Sequence, residues 1–196
     1  SPLVFIAHPS LGVGNIKELI AAAKAKPGRI NYASSGPGTG GHLSVELLKF
    51  QTGIDLVHVP YKGAGPALAD LIGGQVQVMC TSPLPAMPHV KSGRLRALAM
   101  TGRTRSRAAP DIPTVAEQIA TRYESSLWYA LFAPAATPRP IIARVHAEAV
   151  KVIKSPEVSG QLLAQGAEPV GSTPPELQKF ISAEIKRWTE VIEKAN

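Results

Sequence analysis

What the chain holds least of narrows its class first. A single cysteine, Cys80, rules out an internal disulfide and any cysteine-based metal site. Aromatic residues make up only 5% while glycine and proline number 17 and 18, which suits short α/β units joined by tight turns better than an aromatic-rich β-sandwich. No apolar run approaches the roughly 20 residues of a membrane-spanning helix, and no basic-then-apolar export signal opens the chain. Ser1-Pro2-Leu3-Val4-Phe5-Ile6 reads instead like the middle of a strand, so the expectation is a chain that begins mid-fold.

Positive charge is in excess. Lysine and arginine outnumber aspartate and glutamate by 21 to 14, a net charge of +7. The densest basic stretch holds Arg94, Arg96, Arg103, Arg105 and Arg107, with no aromatics between them and no zinc-finger or helix-turn-helix pattern beside them. That arrangement is read as a solvated face, and no nucleic-acid partner is expected. Cys80, inside Val76-Gln77-Val78-Met79-Cys80, is expected to be a buried strand residue.

Strand-like and helix-like segments alternate. Leu3 to Ala7 is an apolar strand; Asn15 can cap a helix through Lys26, whose face is Ile16, Leu19, Ile20 and Ala23. Further strands are expected over Ile30 to Ser34, Asp55 to Val59, Val76 to Cys80 and Arg96 to Met100, with helices over His42 to Gln51, Pro66 to Ile72, Leu84 to Lys91 and Val115 to Ile119. The second helix is read with Leu43, Leu47 and Phe50 on one side. Ser125 to Ala133 reads as another long apolar strand and Ala167 to Val170 as a small one. Pro138 to Ile153, Pro156 to Gln165 and Pro174 to Ala195 complete a helical end. The alternation implies a largely parallel sheet with helices on its faces.

Between one strand and the next helix, Gly36, Gly38 and Gly41 match G-x-G-x-x-G. A dinucleotide fingerprint also needs an acidic residue closing the following strand. Here that strand ends Val57-His58-Val59-Pro60, and Asp55 sits at its wrong end. No lysine follows the glycines, so the Walker pattern fails too. What remains is physical: glycines permit close backbone approach, and unpaired N–H groups at a helix start favour an anion. Ser34, Ser35 and Thr39 add hydroxyl donors, and a carboxylate fits such a neutral cradle. A tight turn holding no ligand is the competing reading.

Nothing assembles into a catalytic set. His42 opens a helix without a second metal-ligating residue at suitable spacing, and His8, His58, His89 and His146 are scattered singly. No Gly-x-Ser-x-Gly elbow occurs. Neither an enzyme nor a cofactor is expected.

Six motifs, in order along the chain, carry a resemblance. They are Asn31 to Leu43, His58-Val59-Pro60-Tyr61-Lys62-Gly63, Asp70 to Val76, Gly93 to Ala99, Pro110 to Glu117, and Gly166-Ala167-Glu168-Pro169-Val170. The chain resembles the Bug (TctC-like) family, the periplasmic substrate-binding proteins of tripartite tricarboxylate transporters. The resemblance implies a two-lobed α/β fold of the type II periplasmic-binding class. A small organic acid lies between the lobes and is delivered to the transporter's membrane subunits. By motif match the ligand loop is Ser34, Ser35, Gly36, Gly38, Thr39, Gly40 and His42, with Tyr61 and Lys62 nearby. Where the family often carries an acidic residue after a strand, this chain has Thr81-Ser82. Ser82 would then face the ligand, and a plain mono- or dicarboxylate fits better than an amino acid.

The family's first-lobe loop, a Pro- and Gly-rich segment ending in aspartate, has no match here. The expectation is therefore a chain missing most of its first lobe. Residues 10–124 would form the second lobe, residues 1–9 and 125–136 the crossover strands, and residues 137–196 a helical return to the first lobe. The apolar faces of that return, Phe180 and Trp188 included, would be exposed and covered by self-association. Weak binding is expected of this chain by itself. The alternative from the same kind of lobes is the effector domain of a transcription regulator, whose DNA-reading helices are not found in the sequence.

Overall fold

A computed structural model of the chain describes every residue except 107, 108, 165, 166 and 196. Arg107 of the basic stretch, Gly166 of the last motif and Gln165 at a helix end lie outside the described residues. The sheet has five strands in the order β3-β2-β4-β1-β5, formed by β1 (Val4–Ala7), β2 (Asn31–Ser34), β3 (Val57–Pro60), β4 (Val78–Thr81) and β5 (Arg96–Met100). β2 pairs in parallel with β3 and β4, whereas β1 runs antiparallel to both β4 and β5. The sheet is thus mixed, with β1 the one reversed strand, and not the largely parallel sheet that the alternation implied.

The helices are α1 (Ile16–Ala25), α2 (Gly40–Thr52), α3 (Ala64–Ile72), α4 (Pro83–Lys91), α5 (Val115–Ile119), α6 (Arg139–Ile153), α7 (Pro156–Ala164) and α8 (Pro174–Ala195). Local chemistry sets several ends. The Asn15 side chain accepts from the Glu18 amide at 2.9 Å, and Glu18 in turn accepts from Gly14 at 2.6 Å, closing the start of α1. Thr114 and Glu117 form a reciprocal capping box on α5. That helix ends on Ala120 at φ 52°, a left-handed position that glycine holds without the Cβ clash. Ala120→Gly should therefore stabilise the fold by about 0.5–1 kcal/mol, read as a raised urea midpoint at unchanged m-value.

Helices cover both sheet faces, so adjacent residues of one strand are buried on opposite sides. Leu3, Phe5 and Ala7 join Ile16, Leu19, Tyr32 and Val45 in one apolar cluster. Val4 and Ile6 join Leu68, Leu71, Met79 and Leu95 in the other. This is why β1 and β4 read as unbroken apolar runs. Cys80 lies in the first cluster, as its sequence context implied.

Three further expectations need correction. Ser125 to Ala133 is not a strand: only Ser126 bridges, to Pro2. Beyond it Tyr129, Leu131 and Phe132 are exposed, because apolar sequence makes a strand only beside a neighbour that completes its ladder. Ala167 to Val170 likewise shows no strand pairing. On α2 the buried set is Ser44, Val45, Glu46, Leu47 and Leu48, while Phe50 is exposed.

The helical end divides. The second half of α8 packs on the core through Trp188 and the buried Val191. In contrast α6 buries no residue, and Ile141, Val145 and Val152 face outward along an open groove of about 660 Å³. Phe180 is exposed and meets Trp128 edge-on at 5.4 Å.

Candidate ligand-binding site

The three parallel strands β2, β3 and β4 end at the same edge of the sheet, the edge where open α/β sheets take ligands. Three connections leave from it: Ser35–Thr39 into α2, Tyr61–Gly63 into α3, and Ser82 into α4. The first two are stitched together, since the Tyr61 amide donates to the Ser34 carbonyl at 3.0 Å and the Gly63 amide to the Ser35 carbonyl at 3.3 Å.

Within the glycine loop several groups are committed inward. The Gly36 amide donates to the Ser34 hydroxyl at 3.1 Å and the Gly38 amide to His42 Nδ1 at 3.2 Å. The Thr39 amide and hydroxyl both donate to the Gly36 carbonyl, at 3.4 and 2.7 Å. Ser34, fully buried, bonds His58 Nε2 at 2.7 Å. Ser34 and Thr39 thus shape the loop instead of offering hydroxyls outward. The amides of Gly40, Gly41 and His42 form the first turn of α2, which has no intrahelical acceptor for them, and the Thr39 side chain does not cap them. These three donors remain at the head of a 13-residue helix.

The glycines serve different ends. Gly36 and Gly38 adopt φ +131° and +74°. Gly40 and Gly41 are needed for packing: a Cβ on Gly40 would strike the Leu127 side chain, and one on Gly41 the Cys80 carbonyl oxygen. Close approach there is to the protein's own strand.

Behind the loop lies a cluster that single residues did not announce. His42 lies against His58 with ring centroids 4.1 Å apart and a tilt of 31°, and His58 stacks on Tyr32 at 4.8 Å. The Tyr32 hydroxyl donates to Glu46 at 2.5 Å, and Lys49 pairs with the same carboxylate at 2.8 Å. His58 therefore belongs with His42, brought there by the parallel register that sets it opposite Tyr32. Hydrophobic periodicity does not reveal that pairing. Burial pushes both imidazoles below their usual range; His42 lowers His58 further, and Glu46 partly offsets the shift of each. Burial, then the bond to Glu46, pushes the Tyr32 hydroxyl up.

A sign follows for stability. Imidazoles with lowered folded values stay neutral while the unfolded chain takes up protons below about pH 6.5. The stability they contribute is complete above that pH and is lost as pH falls through their folded values. Urea midpoints should fall from about pH 6.5 to about pH 5, and less steeply in His42→Asn/His58→Gln than in the wild type.

Of the other sequence candidates, the Tyr61 hydroxyl donates to Asp70 at 2.7 Å and so braces α3. Among the described residues, no partner is found for the side chains of Ser35, Lys62 or Ser82. Ser82 sits just before α4 without a side-chain cap bond, and the first and third residues of that helix, Pro83 and Pro85, have no N–H, so α4 offers far fewer donors than α2. Gly40, His42, Tyr61, Lys62 and Ser82 thus all sit at the one strand edge. No described helix is long and apolar enough to cross a membrane.

A strand edge with convergent loops and open helix-terminal amides belongs to the α/β binding-protein class. The sequence pattern of the tripartite tricarboxylate transporter family receptor (TctC) matches residues 1–196, and the chain belongs to that family. It is 38% identical over 191 residues to BugT of Bordetella pertussis, covering 97% of this chain and 59% of BugT. A solved R. palustris protein with adipate superposes with a TM-score of 0.89 at 34% identity, over 99% of this chain and 65% of that one. MatC of Rhodopseudomonas palustris, solved with malate, gives 0.84 at 29% identity, over 97% and 66%. The chain therefore spans about three-fifths to two-thirds of the length of these relatives.

Proposed function

We propose that this protein captures a small organic acid in the periplasm and delivers it to the membrane subunits of a tripartite tricarboxylate transporter. The observation that carries this reading is the trio of amides on Gly40, Gly41 and His42, for which no partner is found among the described residues, at the edge where β2, β3 and β4 end. A carboxylate accepts from such a helix start without needing a full positive charge beside it. Family membership supports the same reading, as do the dicarboxylates bound by two structural relatives. In this reading Gly40 and His42 supply main-chain donors, Ser35, Lys62 and Ser82 supply side chains, and Ser34, Gly36, Gly38, Thr39 and Tyr61 hold the loop. With serine at 82 and no acid there, a mono-, di- or tricarboxylate is favoured over an amino acid, whose ammonium would lack a counter-charge.

Residues 10–124 make up the ligand lobe in this proposal, residues 1–9 and 125–136 the crossovers, and residues 137–196 the return to a first lobe. Isothermal titration with acetate, malate, adipate and citrate tests it. Heat saturating at one site per chain with at least one of them is expected; absence of heat from all four overturns the assignment. The outward apolar side chains of α6 are proposed to drive self-association of the isolated chain. Light scattering that gives a monomer, with little hydrophobic-dye binding, would remove that part.

A further inference from the structure

His42 does two things at once. Its main-chain N–H is one of the open donors of α2, and its ring reaches back to accept the Gly38 amide at Nδ1, 3.2 Å away. The loop is tied at both ends, and at its tip Gly38 is held by His42. Gly36 and Gly38 both carry positive φ, and Pro37 between them has no N–H. Apart from His42, the bonds made by Gly36–Thr39 run to Ser34, to the Gly36 carbonyl and, at the helix end, from the Leu43 amide to the Thr39 carbonyl at 2.9 Å, so none but that of His42 reaches Gly38.

The grip depends on one lone pair. A neutral imidazole with its proton on Nε2 accepts at Nδ1; an imidazolium has donors at both nitrogens and would set N–H against N–H. The ring has little room to turn away, since His58 packs against it at 4.1 Å and Tyr32 lies 6.3 Å off at 18°. His58 differs in this respect. Its Nε2 meets the Ser34 hydroxyl, which can accept from it while donating to the Gly36 carbonyl, so protonation there breaks no bond. The charged and titratable groups facing the pair are Glu46 and Lys49 from α2 and Tyr32 from β2, with each histidine facing the other across α2 and β3.

We infer that the His42 side chain is a positioning residue for carboxylate capture: its unprotonated Nδ1 holds the Gly38 amide, fixes the loop in front of the α2 amides, and lets go on acidification. The inference rests on the carboxylate reading of the site. It makes capture pH-sensitive through a group that need not touch the ligand. Burial favours the neutral ring, so the latch is closed at neutral pH and opens only below the ordinary histidine range.

The test compares wild type with His42→Asn, whose Oδ1 can accept the Gly38 amide without titrating, and with His42→Ala, which cannot accept it. Malate is the probe. At about pH 7.5 His42→Ala should bind roughly three- to tenfold more weakly than the wild type, and His42→Asn should recover part of that loss. Down to about pH 5 the wild type should lose roughly three- to tenfold relative to His42→Asn, a ratio from which the ligand's own titration cancels. A constant ratio, tighter wild-type binding in acid, or full affinity in His42→Ala would each overturn the latch. A second arm uses no ligand: in NMR, the Gly38 amide should shift with the same midpoint as the His42 ring. A Gly38 amide that stays still while His42 titrates, or a pair whose first proton settles on His58 without moving Gly38, overturns the inference. Should malate fail to bind while Gly38 follows His42, the latch stands and the carboxylate reading is what fails.

Discussion

Replacing Gly41 by alanine is expected to destabilise the protein by about 3 kcal/mol or more. The new methyl carbon would overlap the main-chain carbonyl oxygen of Cys80, closer than real Cβ atoms approach anything. That oxygen belongs to β4, which is held on both sides, by β2 and β1, so it has no freedom to retreat. The strain falls on α2, whose first turn must lift away from the sheet and take the open amides with it. Gly40→Ala should be milder, because the atom in its way is the end of the Leu127 side chain, which can turn. Gly65→Ala, at the start of α3 with open space around it and no positive φ, should be neutral or stabilising by up to about 1 kcal/mol. Urea unfolding of the three variants gives the order; equal costs at positions 41 and 65 would show that the close helix–strand contact is not maintained in solution.

The second large effect is expected at Glu46, where Glu46→Leu should cost about 2–3 kcal/mol. Glu46 is only 5% exposed and serves two partners, the hydroxyl of fully buried Tyr32 and the Lys49 ammonium. Leucine would leave that hydroxyl without an acceptor inside the core. The loss at Lys49 is smaller, because its side chain is 23% exposed and can turn to water. Glu46→Gln keeps an acceptor for Tyr32 and should cost clearly less. Adding Tyr32→Phe to Glu46→Leu removes the stranded hydroxyl and should recover part of the loss, a coupling that a double-mutant cycle measures. Glu46 also raises the proton affinity of both imidazoles, so its removal should move the His42 and His58 titrations to still lower pH. Unchanged histidine titrations would show that the cluster is looser than its distances imply.

Several elements could be read before any coordinates. Asn15 marks a helix start by chemistry confined to a few neighbouring residues, and β5 and α5 fall over the residues the sequence pattern put them on. The glycine loop could also be located, because strand, glycines and helix start are contiguous in the chain. Ser125 to Ala133 misled because its composition suits a strand, while strandhood is a property of pairs. His58 was passed over for a related reason: alone it carries no signal, and its place beside His42 comes from how β3 lies against β2.

Composition, spacing and local capping thus determined the α/β class, the order of elements and the position of the anion-favouring helix start, since each depends on residues near one another in sequence; the family came from the resemblance of six contiguous motifs. The tertiary structure alone decided which amides in the loop stay open, which hydroxyls turn inward, and why position 41 tolerates only glycine. It also assembled Tyr32, His42, Glu46, Lys49 and His58 into one cluster. Those outcomes depend on distances across strands and helices, and only the packing of the whole sheet sets such distances.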